Sequence, residues 1–328
     1  MTLKTRKPSG AVPWPMILLE GAEKSGKSWA AATLSASEKV GATYWVDLGE
    51  GSDDEYGAIP GVRYEIVEHD GSFRQLVENV EEVRAIAAKA AEAKEPPVVL
   101  VVDSMTAEWD LLKEWAHQRA KGSKANQKLL QSDPLAEINI SMNYWNDATA
   151  RHRKLMTLLL TFPGIVVVTA RGKDIAAVDD AGKPVQGGKD YRVEGNKNLA
   201  YDATVWVRMS REHGPLIVGA RSVHHGVRPG IDRPKPVQDF SLEWLIFDVL
   251  KCDPNQAQVR SLPTGDLAKA KAEVWSLAQQ LKWSKDDLAA DYESNHDAKL
   301  SEATVAQLQD YAEDLQREVE EAAKQEAS

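Results

Sequence analysis

Gly21-Ala22-Glu23-Lys24-Ser25-Gly26-Lys27-Ser28 has the pattern GxxxxGKS and stands between two segments of different character. Before it, Met16-Ile17-Leu18-Leu19 is a short apolar run of the kind buried in a sheet. After it, Trp29-Ala30-Ala31-Ala32-Thr33-Leu34 is good helix material. A strand, a glycine loop and a helix in that order let the backbone curl around an anion. Its N–H groups then point inward and the positive helix end lies behind them. The reading is a phosphate-binding loop. Lys27 reaches the outer phosphates of a nucleoside triphosphate, and the Ser28 hydroxyl ligates Mg²⁺. The whole stretch from Gly21 through Ala22, Glu23, Lys24, Ser25, Gly26, Lys27 and Ser28 to Trp29 is expected at the nucleotide.

With 328 residues, 43% hydrophobic and 27% charged, the chain has room for one sizeable domain and a small second one. A single cysteine, Cys252, excludes an internal disulfide framework and fits a reducing, cytoplasmic setting. No run approaches the ~18 apolar residues of a membrane span. The N-terminal Lys4, Arg6 and Lys7 precede no apolar stretch, so residues 1–12 read as a flexible tail rather than a signal peptide. The net charge of −10 is unevenly placed. Residues 262–328 hold 15 Asp and Glu against 7 Lys and Arg, which leaves 35 acids and 33 bases in residues 1–261. Acidity therefore lies in the tail, and a nucleic-acid partner for the main body is not excluded.

Apolar runs recur along the body. Ala42–Asp47, Arg63–Val67, Val98–Asp103 and Ile165–Ala170 read as strands, as do the segments Ala203–Val207 and Leu216–Gly219. Between them, Ser72–Lys94 shows helical spacing, and residues 105–162 are mostly helical with a polar, basic interruption from Lys121 to Lys128. Continuous apolar strands alternating with helices imply an α/β fold, a mainly parallel sheet covered on both faces. The last two strands are expected to extend it antiparallel, and Arg171–Asn198 reads as a Gly/Asp/Lys-rich loop. From about Thr264 the pattern changes. One helix face holds Val274, Leu277, Ala278 and Leu281, and another holds Val305, Leu308, Ala312, Leu315 and Val319. Ser284–Asp287 resembles a capping box between them. The predicted organisation is a tail over 1–12, a core over 13–260 and an acidic helical region over 261–328.

Asp103 ends an apolar strand 76 positions after Lys27, where a carboxylate holds Mg²⁺ through its water shell opposite Ser28. The strands after the loop imply an extra strand between the loop's own strand and that of Asp103, as in ATPases that hydrolyse with a carboxylate base. Glu50, at the carboxyl edge of the second strand, is the expected base that orients water toward the γ-phosphate. Asp47 is its rival and Glu23 a weaker one. Thr169 is a candidate γ-phosphate sensor. Trp109, Trp115, Trp206 and Trp244 are expected in packing, and His224-His225 lacks the ligand spacing of a zinc site.

In order and spacing, GAEKSGKS, WVDLGEG, VVLVVDS and IVVVTARGKD resemble the RecA-type ATPase cores. More closely they resemble the phage single-strand annealing ATPases built on a RecA core alone, the Sak-four type, over about residues 13–252. The resemblance implies ATP with Mg²⁺, Glu50 as catalytic base, and Tyr56 near the adenine with one residue less spacing than in RecA itself. It also implies a homo-oligomer, ring or filament, in which a neighbour's basic residue completes hydrolysis. Lys197 is the nearest match for that residue, and Arg171 and Lys173 compete with it. Two DNA-gripping loops follow from the same resemblance. Arg119, Lys121, Lys124 and Lys128 fall in the first; Arg171, Lys173, Lys183, Lys189 and Arg192, with Tyr191, fall in the second. The function so implied is ATP-dependent binding of single-stranded DNA for annealing or strand exchange. The acidic helical region reads either as a docking module for a partner such as a single-strand-binding protein or as a subunit contact. A replicative helicase core or loader, and a nucleotide-switch scaffold that does not hydrolyse, are the alternatives.

Overall fold

The computed structural model describes residues 5, 7–51, 53–178, 183–225, 234, 236–253, 259–260, 266–296, 299–300, 303 and 305–326. The chain divides into two compact units, Met1–Arg260 and Ser261–Ser328. In the first, the described strands are β1 (Met16–Gly21), β2 (Thr43–Asp47), β3 (Tyr64–Ile66), β4 (Val99–Asp103), β5 (Ile165–Val178), β6 (Pro184–Glu194), β7 (Val205–Met209) and β8 (Leu216–Ala220). They form one sheet in the order β3-β2-β4-β5-β1-β7-β8, with β6 paired to β5 off that path. The strand between β1 and β4 is β5.

Every residue of β1 and β4 is buried, which explains their unbroken apolar runs: both faces of the sheet are covered. Alternate residues serve opposite layers. Leu18, Leu100, Val102, Val166 and Val168 face one core, where they meet Leu76, Leu112, Leu155 and Met156. Those residues come from three helices, α3 (Phe73–Ala93), α4 (Met105–Lys121) and α6 (Met142–Leu160). Ile17, Leu19, Val99, Val101, Ile165 and Val167 face the other core. There they pack on Ala31 and Leu34 of α1 (Lys27–Leu34) and on a π-helical stretch, Trp244–Val249. Trp109, Trp115 and Trp206 pack against the first core and Trp244 against the second. The remaining short helices are α2 (Asp53–Tyr56), α5 (Lys124–Ser132) and α7 (Leu199–Asp202).

The fold corrects three expectations. β7 runs parallel to β1, and of these last two strands β8 alone is antiparallel, against β7. The chain between β6 and β7 passes through α7 and brings β7 in beside β1 with the direction of its neighbour. The basic interruption at Lys121–Lys128 is helical: Arg119 and Lys121 lie in the last turn of α4, and Lys124 and Lys128 lie on α5. Ser123 caps α5 by accepting from Asn126 N (3.3 Å), and Asn126 Nδ2 donates to Ala120 O (2.8 Å) and Asn139 O (3.1 Å). Those bonds satisfy the polar groups that a loop would have left to water. The stretch from Arg171 to Asn198 is mainly a ribbon. β5 continues past the sheet to Val178, and β6 returns antiparallel, with Arg171 opposite Glu194 and Lys173 opposite Arg192. Residues 179–182 lie outside the described ones.

The second unit holds α8 (Asp266–Gln280), α9 (Lys285–His296) and α10 (Val305–Glu326). Val274, Ala278, Leu288, Tyr292, Leu308 and Leu315 form its core. Ser284 and Asp287 exchange bonds as a capping box: Ser284 N donates to Asp287 Oδ2 (2.9 Å), and Asp287 N donates to Ser284 Oγ (3.2 Å). Among the described residues, no helix is long and apolar enough to cross a membrane.

Candidate nucleotide site

The loop between β1 and α1 is shaped by backbone needs that its glycines meet. A Cβ on Gly21 would overlap Met209 O of the neighbouring β7, and Gly26 caps α1 at φ 90°, in the left-handed region. Lys27 Nζ bends back to donate to Gly21 O (3.1 Å) and Ala22 O (2.9 Å). Burial pulls the Lys27 ammonium below its ordinary value, while the carboxylates of Asp103, Glu50 and Glu20 push it back up.

Ser28 Oγ, in the first turn of α1, donates to Asp103 Oδ2 at 2.7 Å. Thr169 on β5 donates to the other carboxylate oxygen. Asp103 is almost fully buried. Burial lifts its carboxyl above the usual range, and the two hydroxyl donors hold that rise in check. A hydroxyl and a carboxylate in contact are hard oxygen donors suited to Mg²⁺. Ser25 Oγ is buried in the loop with no hydrogen-bond partner among the described residues, a polar atom that a phosphate oxygen would satisfy. The residues present thus fit a Mg²⁺–triphosphate.

On the other side, β2 ends in Asp47, whose carboxylate accepts from the N–H groups of Gly49 (3.2 Å), Glu50 (3.1 Å) and Gly51 (3.1 Å). Asp47 is thereby occupied in folding the turn that presents Glu50. Glu50 Oε1 accepts from Ser104 Oγ (2.8 Å) and from Arg171 Nη2 (2.9 Å). Ser104 follows a cis peptide after Asp103 and also caps α4, accepting from Ala107 N (3.3 Å).

These groups surround one cavity of about 560 Å³, lined by Gly21, the loop residues Glu23 to Ser28, Glu50, Tyr56, Asp103, Thr169, Arg171 and Lys173. Ala22 lies off its wall, at a neighbouring cavity. Trp29 is half exposed and meets Tyr56 edge-on, 5.8 Å between ring centres. Glu23 is largely solvent-exposed and pairs with Arg211 at 3.4 Å. Arg171 and Lys173, expected on a DNA-facing loop, stand on the cavity wall. β5 is extended through both, so positions two apart share a face. Lys173 is also paired with Glu194.

Elsewhere, Arg119, Lys121, Lys124 and Lys128 are exposed, with Arg119 over the Trp115 ring at 5.8 Å. Arg192 is exposed on β6, Lys189 lies on the same strand opposite Ala176, and Lys183 precedes it. Lys197 is exposed in the turn after β6 and is not part of the cavity wall.

Two features went unread in the sequence. Ser104 gave no signal beyond its place after Asp103. Glu20, a fully buried carboxylate at the end of the apolar β1 run, accepts from Trp206 Nε1 (2.9 Å) and Arg208 Nε (2.8 Å). An acid terminating an apolar strand is the cue that could have found it.

Among solved structures, that of the RadB recombinase is similar to this chain at 16% identity and a TM-score of 0.39, covering 70% of this chain and 93% of its own. None of the curated proteins compared with the chain matches it. A family model described as an AAA domain matches residues 15–215, from the start of β1 nearly to β8. The phosphate loop, the Asp103 strand set apart from it by β5, and this match agree. The chain is a RecA-like P-loop core and belongs to the AAA domain family.

Proposed function

We propose that the chain is an ATP-hydrolysing, single-stranded-DNA-binding recombination protein of phage type, working in the host cytoplasm to promote annealing or strand exchange. The observation that carries the reading is Glu50 fixed by Ser104 in the same cavity as Lys27, Ser28 and Asp103. A nucleotide-binding scaffold needs no positioned carboxylate there; a hydrolase does.

Lys27 gives up its two carbonyl partners to the outer phosphates, and the loop amides hold the rest. Ser28 and Asp103 would hold Mg²⁺, which supplies charge neutralisation on the phosphates. Glu50 orients a water and takes its proton as the water oxygen bonds the γ-phosphorus. The bond from that phosphorus to the bridging oxygen breaks, and ADP and inorganic phosphate result. Tyr56, which meets Trp29 edge-on, is assigned to stacking on the base. Lys197, exposed and outside the cavity, is assigned to a neighbouring subunit's site in a homo-oligomer.

DNA contacts are assigned to two basic surfaces: α4–α5, with Arg119, Lys121, Lys124 and Lys128, and the β5–β6 ribbon, with Lys189 and Arg192. Both can track phosphates, and their use makes binding salt-dependent. The acidic second unit is assigned to docking a single-strand-binding protein. The test is ATP turnover with and without single-stranded DNA at two salt concentrations. Stimulation by DNA that fades with salt is the expected result. Turnover indifferent to DNA, with no salt-sensitive binding, would refute the recombination reading.

A further inference from the structure

Among the described residues, the cavity residue ion-paired with Glu50 is Arg171. Its guanidinium lies 2.9 Å from Glu50 Oε1, and its charge is also felt at Lys27, whose ammonium it helps to lower. Arg171 touches Glu50 and lines the same cavity as Lys27, the two residues that the reading above assigns to the terminal phosphate, so the guanidinium stands within that phosphate's compartment. The backbone beneath it is firmly held. Arg171 N donates to Thr106 Oγ1 (2.9 Å), and Thr106 Oγ1 donates to Glu194 O (2.6 Å). A Cβ on the next residue, Gly172, would overlap Tyr191 Oη and Glu20 Oε2, so those side chains would have to shift to admit one.

Resting on the ATPase reading above, we propose that Arg171 is a catalytic residue supplied in cis, moving from Glu50 to the γ-phosphate when the triphosphate binds. A guanidinium matches a phosphate's oxygens in a bidentate fork and prefers its higher charge to a single carboxylate oxygen. The exchange does two things at once. It frees the Glu50 lone pair to accept the water's proton, and it places a positive charge on the equatorial oxygens where charge gathers as the bridging bond breaks. The bonds made and broken are those already given; Arg171 transfers nothing. The reading differs from a basic residue lent by a neighbour, because the guanidinium already lies in the cavity of its own chain.

The test uses the full chain. Arg171→Ala is expected to lower kcat by about 10³-fold in the presence of single-stranded DNA. Affinity for Mg²⁺ with a fluorescent ATP analogue should change by less than about threefold, which also shows that the variant is folded. Arg171→Lys should restore only part of the rate, since a point charge cannot form the fork. Mixing Arg171→Ala with Glu50→Gln separates cis from trans. With both groups needed in one chain, the mixture stays as inactive as its parts. Recovered turnover on mixing would overturn the cis assignment. Unchanged kcat in Arg171→Ala, or lost affinity with kcat intact, would overturn the catalytic role while leaving the ATPase reading standing. A wild-type chain that binds Mg²⁺ and nucleotide but never hydrolyses would overturn both.

Discussion

Glu108 and His152 offer a sharp check on the energetics of the core. They join α4 to α6, with side chains 0% and 5% exposed, and His152 Nδ1 lies 2.9 Å from Glu108 Oε2 and 3.2 Å from Oε1. Trp109 closes over the imidazole edge-on, and His152 Nε2 has no partner among the described residues. His152→Leu removes the partner of the carboxylate and leaves Glu108 in an apolar contact. That should cost about 3–5 kcal/mol near neutral pH. Glu108→Leu leaves an imidazole that can stay neutral, so its cost is nearer 1–3 kcal/mol, roughly that of an unmade hydrogen bond. Replacing both restores an apolar helix contact, and the double variant should cost less than the sum by about 1–3 kcal/mol.

Burial holds the Glu108 carboxyl above its ordinary value, and the His152 hydrogen bond and charge pull it back. Without His152 the folded-state value climbs further. A folded value above the unfolded one means that the folded chain takes up the proton first. Stability is then fully present below the unfolded value and is lost as pH rises through the folded one. The deficit of His152→Leu against wild type should therefore shrink between about pH 8 and pH 5.5, as the stranded carboxyl protonates. Urea unfolding followed by far-ultraviolet circular dichroism at both pH values reads this directly. A His152→Leu variant no worse than Glu108→Leu at the higher pH, or a deficit that does not narrow on acidification, would refute the reasoning.

Further outcomes follow from the same structure. Asp103→Asn removes a charge that burial disfavours, so the nucleotide-free chain should match wild type or exceed it by about 1 kcal/mol. The stabilisation by Mg²⁺ and nucleotide, about 2.7 kcal/mol at a hundredfold excess over Kd, should vanish; melting curves with and without ligand decide. Gly164→Ala puts a Cβ against Val98 O and 2.9 Å from the Phe162 ring, just where Ile165 N donates to Val98 O. A loss of about 2 kcal/mol in urea unfolding is expected, and a neutral result would show that β5 can shift on β4. Removing the charges of Lys124 and Lys128 together should reduce the slope of log affinity for single-stranded DNA against log salt by about 1.4. An unchanged slope in titrations at graded salt would remove α5 from the DNA surface.

The phosphate loop was legible because its chemistry is local: the glycines, Lys27 and Ser28 act within eight consecutive residues. β1 and β4 were legible because burial on both faces leaves an unbroken apolar run. The β5–β6 ribbon was not. Its strands mix Gly, Lys and Asp with Val and pair with each other, so neither carries the unbroken apolar run of a strand at the centre of the sheet. Yet Asp179-Asp180-Ala181-Gly182, between two runs containing Val, is turn chemistry in the sequence and could have suggested a hairpin. Glu50 could be chosen over Asp47 by its place alone, whereas the commitment of Asp47 to the turn amides depends on how the chain folds back after β2. That Arg171 lines the cavity of its own chain could not be read, since a basic residue in this segment looks the same whether it serves DNA, a neighbour's site or its own.

β5 has a mechanical consequence. Its first half lies at the centre of the sheet, between β1 and β4, and its second half is an arm of the ribbon, with no break between them. Arg171 stands two residues beyond Thr169 and seven before Val178, so at about 3.3 Å per residue the arm beyond Arg171 is about 23 Å long. Arg171 is the last β5 residue paired to β1, opposite Gly21, and its N–H is also bonded to Thr106, so it sits at the root of the arm rather than along it. Load taken up by the ribbon is therefore delivered, through one piece of backbone, at the residue that contacts Glu50 and beside the phosphate loop.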